Sequence, residues 1–409
     1  MHTLARLALV VAVLVGASVA FTSAQQRTAT FPVIVVFDDF APFQDYVGQF
    51  VPDGRMAENP AAWAYQDRAV VGAVQALERA HGFRATHAYS AALRGFAAHL
   101  TARQIAALEG DPLVRFIEPD GAMHIVQRPP GKGGGGGGSE SQTVPWGITR
   151  IGAAGKPSVT TVHAYIIDTG IDAGHRDLSV VQHVNFAGGP NKDCNGHGTH
   201  VAGTVAAIDN TVDVVGVAAG ARLVGVKVLG CGGSGTTSGV IQGVDWVTAN
   251  AVKPAVANLS LGGGASNALD TAVKNSADSG VFYAVAAGNS GADACTASPA
   301  RAGTHHGVMT TAATDQHDLE ASWSNYGSCV DVWAPGVAIL STASGGGTTT
   351  LSGTSMASPH VAGTGVRSLA LAPGASAAQT EHDLKISAEI TGTTSKDGRA
   401  IELINARPF

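Results

Sequence analysis

A run of six consecutive glycines, Gly133–Gly138, limits how this chain of 409 residues can fold more than any other feature. Glycine loses more conformational freedom on folding than any other residue, so a packed helix or strand does not tolerate such a run. Prolines precede it at Pro129 and Pro130, and serines follow at Ser139 and Ser141. We therefore predict a flexible linker over residues 128–140, with one folded unit on each side.

The first 24 residues have the pattern of a secretory signal peptide. A short start with one arginine, Arg6, precedes an almost wholly apolar stretch at residues 7–21, and small residues follow up to Ala24. This order of regions predicts cleavage near Ala24. A membrane anchor is the alternative, but about 20 apolar residues are needed to span a bilayer. We therefore expect a secreted, extracellular protein without a membrane anchor.

The charge composition of the chain argues against nucleic acid as a binding partner. The chain carries 25 Lys and Arg against 31 Asp and Glu, a formal net charge of −6. Proteins that bind nucleic acid normally present a basic face, so this balance argues against such a partner. Hydrophobic residues make up 45% of the chain, which is enough for a substantial core. We expect a folded monomer.

Residues 25–127 are predicted to form a small α+β domain. A β-rich run covers residues 31–37, and an Ala-rich stretch at 60–81 has helical character. Thr101 and Gln104 have the spacing of a helix capping box, and residues 114–117 resemble another strand. No pattern in this segment points to chemistry.

Residues 141–409 alternate between strand-like and helix-like segments, which predicts an α/β fold: a mostly parallel sheet with helices on both faces. Functional groups in such sheets gather at the carboxyl ends of the strands. Asp168, Ser260 and Asn289 each lie at or just after such an end. The predicted strands are 159–167, 223–229, 255–261 and 281–287, and the predicted helices are 198–207, 238–249 and 355–370.

Three short motifs carry the candidate chemistry: YIIDTG at 165–170, NGHGTHVAGT at 195–204 and GTSMASPH at 353–360. Singly, each also fits a structural role, because strand-end Asp residues cap helices, paired His residues complete cores and Gly-Thr-Ser opens helices. Together, in the order Asp, His, Ser, they indicate catalysis by a serine hydroxyl, which needs a positioned base.

The chain from about Gln142 to its end resembles the subtilisin-like serine proteases, including the branch that contains proteinase K. The three motifs carry this resemblance, and the segment before the linker resembles the inhibitory propeptide of the same family. The resemblance implies a serine endopeptidase made as a precursor that removes residues 25–140 by itself. The mature chain would then start near Ser141.

By this resemblance, Ser355 is the nucleophile, His197 the general base and Asp168 the residue that orients the imidazole. The Thr169 hydroxyl is expected to donate a hydrogen bond to the Asp168 carboxylate. Asn289, in AAGNS at 286–290, is the expected oxyanion donor together with the Ser355 backbone N–H.

Spacing alone does not decide between His197 and His200, which lie in one motif. In the family the first His of His-Gly-Thr-His is catalytic and the second packs behind it. We therefore assign His197 by resemblance, and we interpret His200 and His360 as structural.

The resemblance also implies two backbone segments that pair with an extended peptide, as in other cases of β-strand addition. Pairing through the main chain suggests broad specificity. A first pocket without charge, lined by residues 260–262 and 287–289, suggests apolar or aromatic side chains before the scissile bond. The residues expected to bind substrate are Gly233, Ser234, Gly235, Ser260, Leu261, Gly262, Ala287 and Gly288.

Four cysteines allow three pairings. Resemblance to heat-stable bacterial members of the proteinase K branch favours the disulfides Cys194–Cys231 and Cys295–Cys329.

The resemblance further implies structural calcium, an ion that prefers carboxylate, amide and carbonyl oxygens. Asp213 departs from the family, which often has glycine at that position. Asp331 matches a second, proteinase K-like calcium position. The expected ligands of the first site are Gln142, Asp177, Ile208, Asn210, Val212 and Val214.

Two other classes stay open at this point. A catalytically silent, secreted binding protein would need a broken triad, oxyanion residue or propeptide, and all three are intact in the sequence. An α/β-hydrolase esterase would carry Gly-x-Ser-x-Gly, but Ala357 stands at the last position and the order Asp-His-Ser differs.

Overall fold

A computed structural model describes residues 29–38, 60–126 and 141–409. The predicted signal peptide, residues 1–24, and the predicted glycine linker, residues 128–140, lie outside these ranges. Helices and strands are numbered below in chain order.

The N-terminal unit is a four-stranded antiparallel sheet in the order β2-β3-β1-β4. The capping box at Thr101 and Gln104 is confirmed, since each side chain accepts from the backbone N–H of the other. Ile105 and Leu108 of that helix are buried against the sheet. The elements are β1 (Thr30–Phe37), α1 (Pro60–His81), β2 (Ala85–Tyr89), β3 (Gly95–Thr101), α2 (Ala102–Glu109), β4 (Val114–Pro119) and β5 (Ala122–Ile125).

The larger unit is built on a nine-stranded sheet in the order β18-β19-β15-β14-β12-β10-β6-β8-β7. Every pair is parallel except β18 with β19, so the predicted α/β class is confirmed. The strands are β6 (His163–Asp168), β7 (Val180–Asn185), β8 (Arg222–Lys227), β10 (Ala255–Leu259), β12 (Val281–Ala286), β14 (Val308–Thr314), β15 (Val332–Pro335), β18 (Glu389–Thr394) and β19 (Ala400–Leu403).

Helices cover both faces of this sheet. In β6, Ala164 and Ile166 pack into one core cluster, while Tyr165 and Ile167 pack into the other. A central parallel strand buried on both faces explains why this segment is a continuous apolar run in the sequence. The helices are α3 (Trp146–Arg150), α4 (His197–Ala206), α5 (Thr237–Asn250), α6 (Asn267–Asp278), α7 (Thr354–Leu371) and α8 (Ala377–Ser387).

Two smaller sheets complete the fold. One is a two-stranded antiparallel sheet, β16 (Ile339–Thr342) with β17 (Thr348–Leu351). The other has the order β13-β11-β5-β9 and contains β9 (Ser234–Thr236), β11 (Leu261–Gly264) and β13 (Ala297–Ser298). Its third strand, β5, comes from the segment before the glycine run, so the last strand of the N-terminal unit completes a sheet of the larger unit.

One strand start was predicted wrongly. The strand predicted from residue 159 begins at His163, and residues 159–162 are irregular. Within the described ranges, no helix is both long enough and apolar enough to cross a membrane.

Candidate active site

Asp168 and His197 form a buried pair where two elements meet. Asp168 is the last residue of β6 and His197 the first residue of α4. Asp168 Oδ1 lies 2.8 Å from His197 Nδ1, and both side chains have no exposed surface. The carboxylate therefore selects the imidazole tautomer that carries its proton on Nδ1, which leaves Nε2 able to accept one.

The expected role of the Thr169 hydroxyl is wrong. Its backbone N–H donates to Asp168 Oδ1 at 2.7 Å, whereas its hydroxyl donates to Asp193 Oδ1 at 3.0 Å. The main chain at the end of β6 turns the amide toward the carboxylate, and the side chain then points to the segment before α4.

His200 and His360 have different hydrogen-bond partners from His197. His200 Nε2 lies 3.0 Å from the Ile339 carbonyl, and His360 Nδ1 lies 2.8 Å from the Met356 carbonyl. Complete burial lowers the pKa of His200 to about 3 and that of His360 to about 4. Both are neutral packing residues, as expected from the sequence.

Ser355 lies in the first turn of α7, which begins at Thr354. Its backbone N–H is one of the free donors that every helix start presents, and the helix dipole favours negative charge there. Its hydroxyl donates to the Ser260 carbonyl at 2.8 Å. His197 Nε2 is buried and has no hydrogen-bond partner among the residues described, so the Ser355 hydroxyl and the His197 imidazole are not hydrogen-bonded to each other in this structure.

Two donors converge on one peptide carbonyl. Asn289 Nδ2 donates to the Val126 carbonyl at 2.7 Å, and the Ser355 N–H donates to the same oxygen at 3.3 Å. The Asn289 amide is fixed from behind, because its Oδ1 accepts from the Thr354 N–H at 3.0 Å and from the Thr354 hydroxyl at 2.9 Å. This is the geometry that stabilises an oxyanion during acyl transfer.

Strand β5 occupies the groove that the sequence assigns to substrate. It pairs antiparallel with β11, where His124 faces Gly262, and with β9, where Met123 faces Gly235. A β-carbon on Gly263 would lie 2.6 Å from the Ala122 carbonyl, so glycine is required for this close approach. The predicted binding segments therefore do pair with an extended chain in this structure.

A cavity of about 320 Å³ opens beside Val126. Its walls carry no Asp, Glu, Lys or Arg, in agreement with the uncharged first pocket expected from the sequence. Gly262, Ala287 and Gly288 line it, but Ser260 and Leu261 do not, because Ser260 turns toward Ser355. Apart from Val126 and residues of β5, the lining is Gly262, Gly263, Ala286, Ala287, Gly288, Asn289, Ser290, Ala297, Ser298, Ala300 and Asn325.

Both disulfides have the pairing expected from the resemblance, Cys194–Cys231 and Cys295–Cys329. The first joins the segment before His197 to the loop before β9. The second anchors the segment that leads to the pocket wall at Ala297.

The first predicted calcium site has converging oxygens. The Gln142 amide lies 2.8 Å from the Ile208 carbonyl, 3.2 Å from the Val214 carbonyl and 3.5 Å from Asn210 Oδ1. Asn210 Nδ2 in turn lies 2.6 Å from Asp177 Oδ1. These are the oxygen types that calcium prefers, and turning the two amides would direct their oxygens inward.

Asp213, the departure from the family at this loop, has the positive φ of 53° that glycine usually supplies. Its carboxylate is buried and pairs with Arg176 at 2.8 Å. The extra charge is therefore balanced locally and leaves the oxygen cluster intact.

The second predicted metal position does not fit a calcium ion. Asp331 Oδ1 lies 2.6 Å from Lys385 Nζ, and Oδ2 accepts from the Thr310 N–H at 2.7 Å. Glu381 also pairs with Lys385, at 3.0 Å. Because the Lys385 ammonium already pairs with both carboxylates, a divalent cation would have to displace it. In the described parts of the chain, no group of three or more His, Cys, Asp or Glu could hold a metal ion.

The sequence predicts an inhibitory propeptide but did not identify β5 as the strand that enters the groove. Residues 122–125 alternate weakly and show no chemical signature, so only their position before the linker could have suggested a place in the groove. It also missed a buried Lys227 behind the Asp168–His197 pair, although an ionisable residue in the apolar run of β8 is a visible signal.

Acyl transfer to a serine hydroxyl requires a carbonyl held by two N–H donors, with a serine and a buried Asp–His pair beside it. In this site the serine lies at the start of a helix. The class of protein that carries this arrangement is the serine hydrolases. The chain belongs to the subtilase family of serine proteases, whose profile matches residues 162–402. Residues 33–126 match the peptidase inhibitor I9 family, so the N-terminal unit is an inhibitory propeptide domain.

Named relatives agree with this family. The alkaline serine exoprotease A of Vibrio alginolyticus is 41% identical over 356 residues, which cover 83% of this chain and 63% of that protein. The extracellular serine proteinase of Thermus sp. strain Rt41A is 44% identical over 315 residues, which cover 73% of this chain and 72% of that protein. A crystal structure of a cold adapted subtilisin-like serine proteinase has a TM-score of 0.59 and 43% identity, and the match covers 64% of this chain and 97% of that one.

Proposed function

We propose that this chain is the precursor of a secreted serine endopeptidase in which Asp168, His197 and Ser355 form the triad and Asn289 is the oxyanion donor. The observation that carries the proposal is the Val126 carbonyl, which accepts from Asn289 Nδ2 at 2.7 Å and from the Ser355 N–H at 3.3 Å. The names of the relatives, extracellular serine proteinase among them, support secretion and proteolysis.

In the proposed mechanism the Ser355 hydroxyl rotates away from the Ser260 carbonyl toward His197 Nε2. The Ser355 oxygen attacks the peptide carbonyl carbon while His197 takes the hydroxyl proton and then gives it to the leaving amine. Water hydrolyses the acyl-enzyme by the same route in reverse. Asp168 keeps the imidazole tautomer and stabilises the imidazolium, and Asn289 binds the oxyanion.

The first self-processing event is proposed at the Val126–Gln127 bond. A substrate presents its scissile carbonyl to the oxyanion donors, and here that carbonyl belongs to Val126. This lies before the glycine run, so the predicted start near Ser141 would need a second trimming of residues 127–140. Before the first cut, β5 blocks the groove as part of the same chain, and after the cut residues 25–126 would keep blocking it as a separate, non-covalently bound chain, because β5 stays paired with β9 and β11.

Specificity is proposed to be broad, with an apolar or aromatic preference before the scissile bond. The contacts to β5 are main-chain pairs, which do not depend on side-chain identity. The pocket of about 320 Å³ has no Asp, Glu, Lys or Arg in its walls. The mature enzyme is proposed to act as a monomer on protein substrates.

Structural calcium is proposed at the first site, held by Gln142, Asp177, Asn210 and the backbone carbonyls of residues 208, 212 and 214. The ion would bind only the folded chain and would tie the segment after the linker to the loop after α4. Its contribution there is stability, because the loop supplies no group to the triad. We propose no calcium at Asp331.

The test is to express full-length wild type, Ser355→Ala and a control, Ser279→Ala, and to sequence the new N-termini by mass spectrometry. Wild type and Ser279→Ala should be cut at Val126–Gln127 and labelled by a fluorophosphonate, while Ser355→Ala stays full length and unlabelled. A wild type that is not labelled and does not digest casein favours the binding-protein class. A processed Ser355→Ala in a protease-free host excludes self-cleavage.

A further inference from the structure

Lys227 is a fully buried lysine behind the Asp168–His197 pair. It is the last residue of β8 and lies opposite Asp168, the last residue of β6. Its Nζ donates to the Thr169 carbonyl at 2.7 Å and to the Leu229 carbonyl at 2.9 Å. Burying an ammonium is costly unless it is hydrogen-bonded and faces opposite charge, so strand packing alone does not explain this residue.

A second buried charge, Asp193, lies four residues before His197. Its side chain is 4% exposed, and its carboxylate accepts five hydrogen bonds from the residues around the start of α4. A carboxylate with this many donors fixes the backbone that leads into His197. The donors are the hydroxyls of Thr169 and Thr199 and the backbone N–H groups of Asn195, Gly196 and Thr199.

Thr169 joins the two buried charges to the catalytic pair. Its carbonyl accepts from Lys227, its hydroxyl donates to Asp193, and its N–H donates to Asp168 Oδ1. The same hydroxyl accepts from the Gly198 N–H at 2.9 Å, in the first turn of α4. One residue therefore contacts the carboxylate, the helix that carries the imidazole, and both charges.

The titratable groups that face Lys227 are Asp168 from β6, Asp193 from the segment before α4, and His183 from β7. Burial lowers the pKa of Lys227, and the charges of Asp193 and Asp168 oppose that change. Burial also lowers the pKa of His183, which keeps that ring neutral near pH 7. The charges that act on the catalytic pair from this side are thus one cation and one anion.

We infer that Lys227 and Asp193 are positioning residues for the proteolytic reaction. They hold Asp168 and His197 in register through Thr169, and removing either of their opposite charges should change the pH dependence of the activity. The inference rests on the proposed triad, because it assigns the acidic limb of the activity profile to His197.

Two charge-removing variants make opposite predictions. Lys227→Met removes a positive charge, so the His197 imidazolium becomes easier to form and the acidic limb of kcat/KM moves to higher pH. Asp193→Asn removes a negative charge and moves that limb to lower pH. For a unit charge a few side chains away we expect shifts of about 0.3 to 1 pH unit. Both variants also lose activity at the optimum, by about 10- to 100-fold, because the pair is held less firmly.

Thr169→Val and Lys192→Met are the matched controls. Thr169→Val removes the hydroxyl that joins Asp193 to the start of α4, without changing the charge. It should therefore lower kcat and leave the acidic limb of the pH profile unshifted. Lys192 is exposed and lies next to Asp193 in the chain, so Lys192→Met makes the same charge change in solvent. Solvent and salt screen that charge, and little shift is expected.

The measurement is the rate of fluorophosphonate labelling against pH, which reports the nucleophile and its base without substrate binding. Opposite shifts for Lys227→Met and Asp193→Asn, with an unshifted Lys192→Met, support the inference. If the acidic limbs of the two variants stay in place or move in the same direction, the inference is overturned. Labelling of the wild type would in that case still support the proposed triad. If Lys227→Met does not fold, an unshifted limb in Asp193→Asn overturns the inference by itself. A wild type that does not label at all contradicts the proposed function instead.

Discussion

At the scale of single residues, the neighbours of Asn289 fix the orientation of its side-chain amide. An asparagine amide can point either way, but the Thr354 N–H and hydroxyl both donate to Asn289 Oδ1, so Nδ2 faces the groove. The Thr354 hydroxyl also accepts from the Gly288 N–H at 3.1 Å, which ties the end of β12 to the start of α7. The proposed oxyanion donor is therefore preorganised and would need no movement when charge develops.

Asn289→Ala should lower kcat and leave KM nearly unchanged, because the oxyanion forms only along the reaction path. Loss of such an asparagine in a subtilisin costs about 10² to 10³ in kcat, and we expect the same order here. Steady-state kinetics on a peptide anilide would measure both constants. A rise in KM with kcat preserved would show that Asn289 serves binding and not catalysis.

His200 makes stability depend on pH. Burial lowers its pKa from 6.5 to about 3, so below pH 6.5 the unfolded chain binds a proton that the folded chain does not. Stability that is present above pH 6.5 is therefore lost as the pH falls toward 3. At about pH 5 the loss from this one residue is about 2 kcal/mol.

His200→Gln should reduce this acid sensitivity, because the glutamine amide can still donate to the Ile339 carbonyl but does not titrate. The comparison is the guanidinium unfolding midpoint of the full-length Ser355→Ala protein near pH 7 and near pH 5, with and without His200→Gln. His317→Gln, at an exposed surface histidine, is the control. An equal drop in midpoint with and without His200→Gln would assign the sensitivity to other groups.

At the scale of elements, acidic side chains tie the propeptide to the helices of the catalytic unit. Glu118 accepts from the N–H groups of Asn267 and Ala268 at the start of α6, and Asp120 accepts from the Ser238 N–H at the start of α5. Both exploit the free donors and the positive dipole end of a helix N-terminus.

On the catalytic side, Asp245 of α5 accepts from the backbone N–H groups of residues 90–93 in the propeptide, at 2.8 to 3.4 Å. The segment between β2 and β3 thus closes around one carboxylate. Propeptide binding therefore depends on this surface as well as on β5 in the groove.

Asp245→Asn should weaken inhibition by the separate propeptide, residues 25–126, by about 10- to 100-fold, since hydrogen bonds to a charged group contribute about 1.5 to 3 kcal/mol. The inhibition constant on mature enzyme would measure it. Hydrolysis of a small peptide substrate should not change, because Asp245 contacts the propeptide and not the groove. An unchanged inhibition constant would mean that β5 alone holds the propeptide.

At the scale of the whole molecule, the disulfides and the oxygen cluster at Gln142 close long stretches of chain. The disulfides join residues 37 and 34 positions apart, which in the chain-entropy model contributes about 3 to 4 kcal/mol each at best. Gln142 joins the residues that follow the linker to a loop 66 to 72 positions further on.

Calcium should raise the unfolding temperature of full-length Ser355→Ala relative to excess chelator. Binding to the folded state at 100 times the dissociation constant stabilises by about 2.7 kcal/mol. Asp177→Asn should lose most of this response, whereas Asp331→Asn should keep it, since Lys385 already pairs with Asp331. Using the inactive variant separates thermal unfolding from self-digestion. Equal unfolding temperatures with calcium and chelator would remove the proposed site.

The sequence by itself determined the two-unit organisation, the α/β class, the order Asp168, His197, Ser355, and, through resemblance, the disulfide pairing. These follow from local patterns: apolar runs, capping residues and short motifs act over a few neighbouring positions. Tertiary structure alone decided which distant atoms meet. Val126 reaches Asn289 across 163 positions, and Lys227 reaches Thr169 across 58. Such contacts depend on strand register and helix placement, because a shift of one residue in β5 would present a different carbonyl to the oxyanion donors.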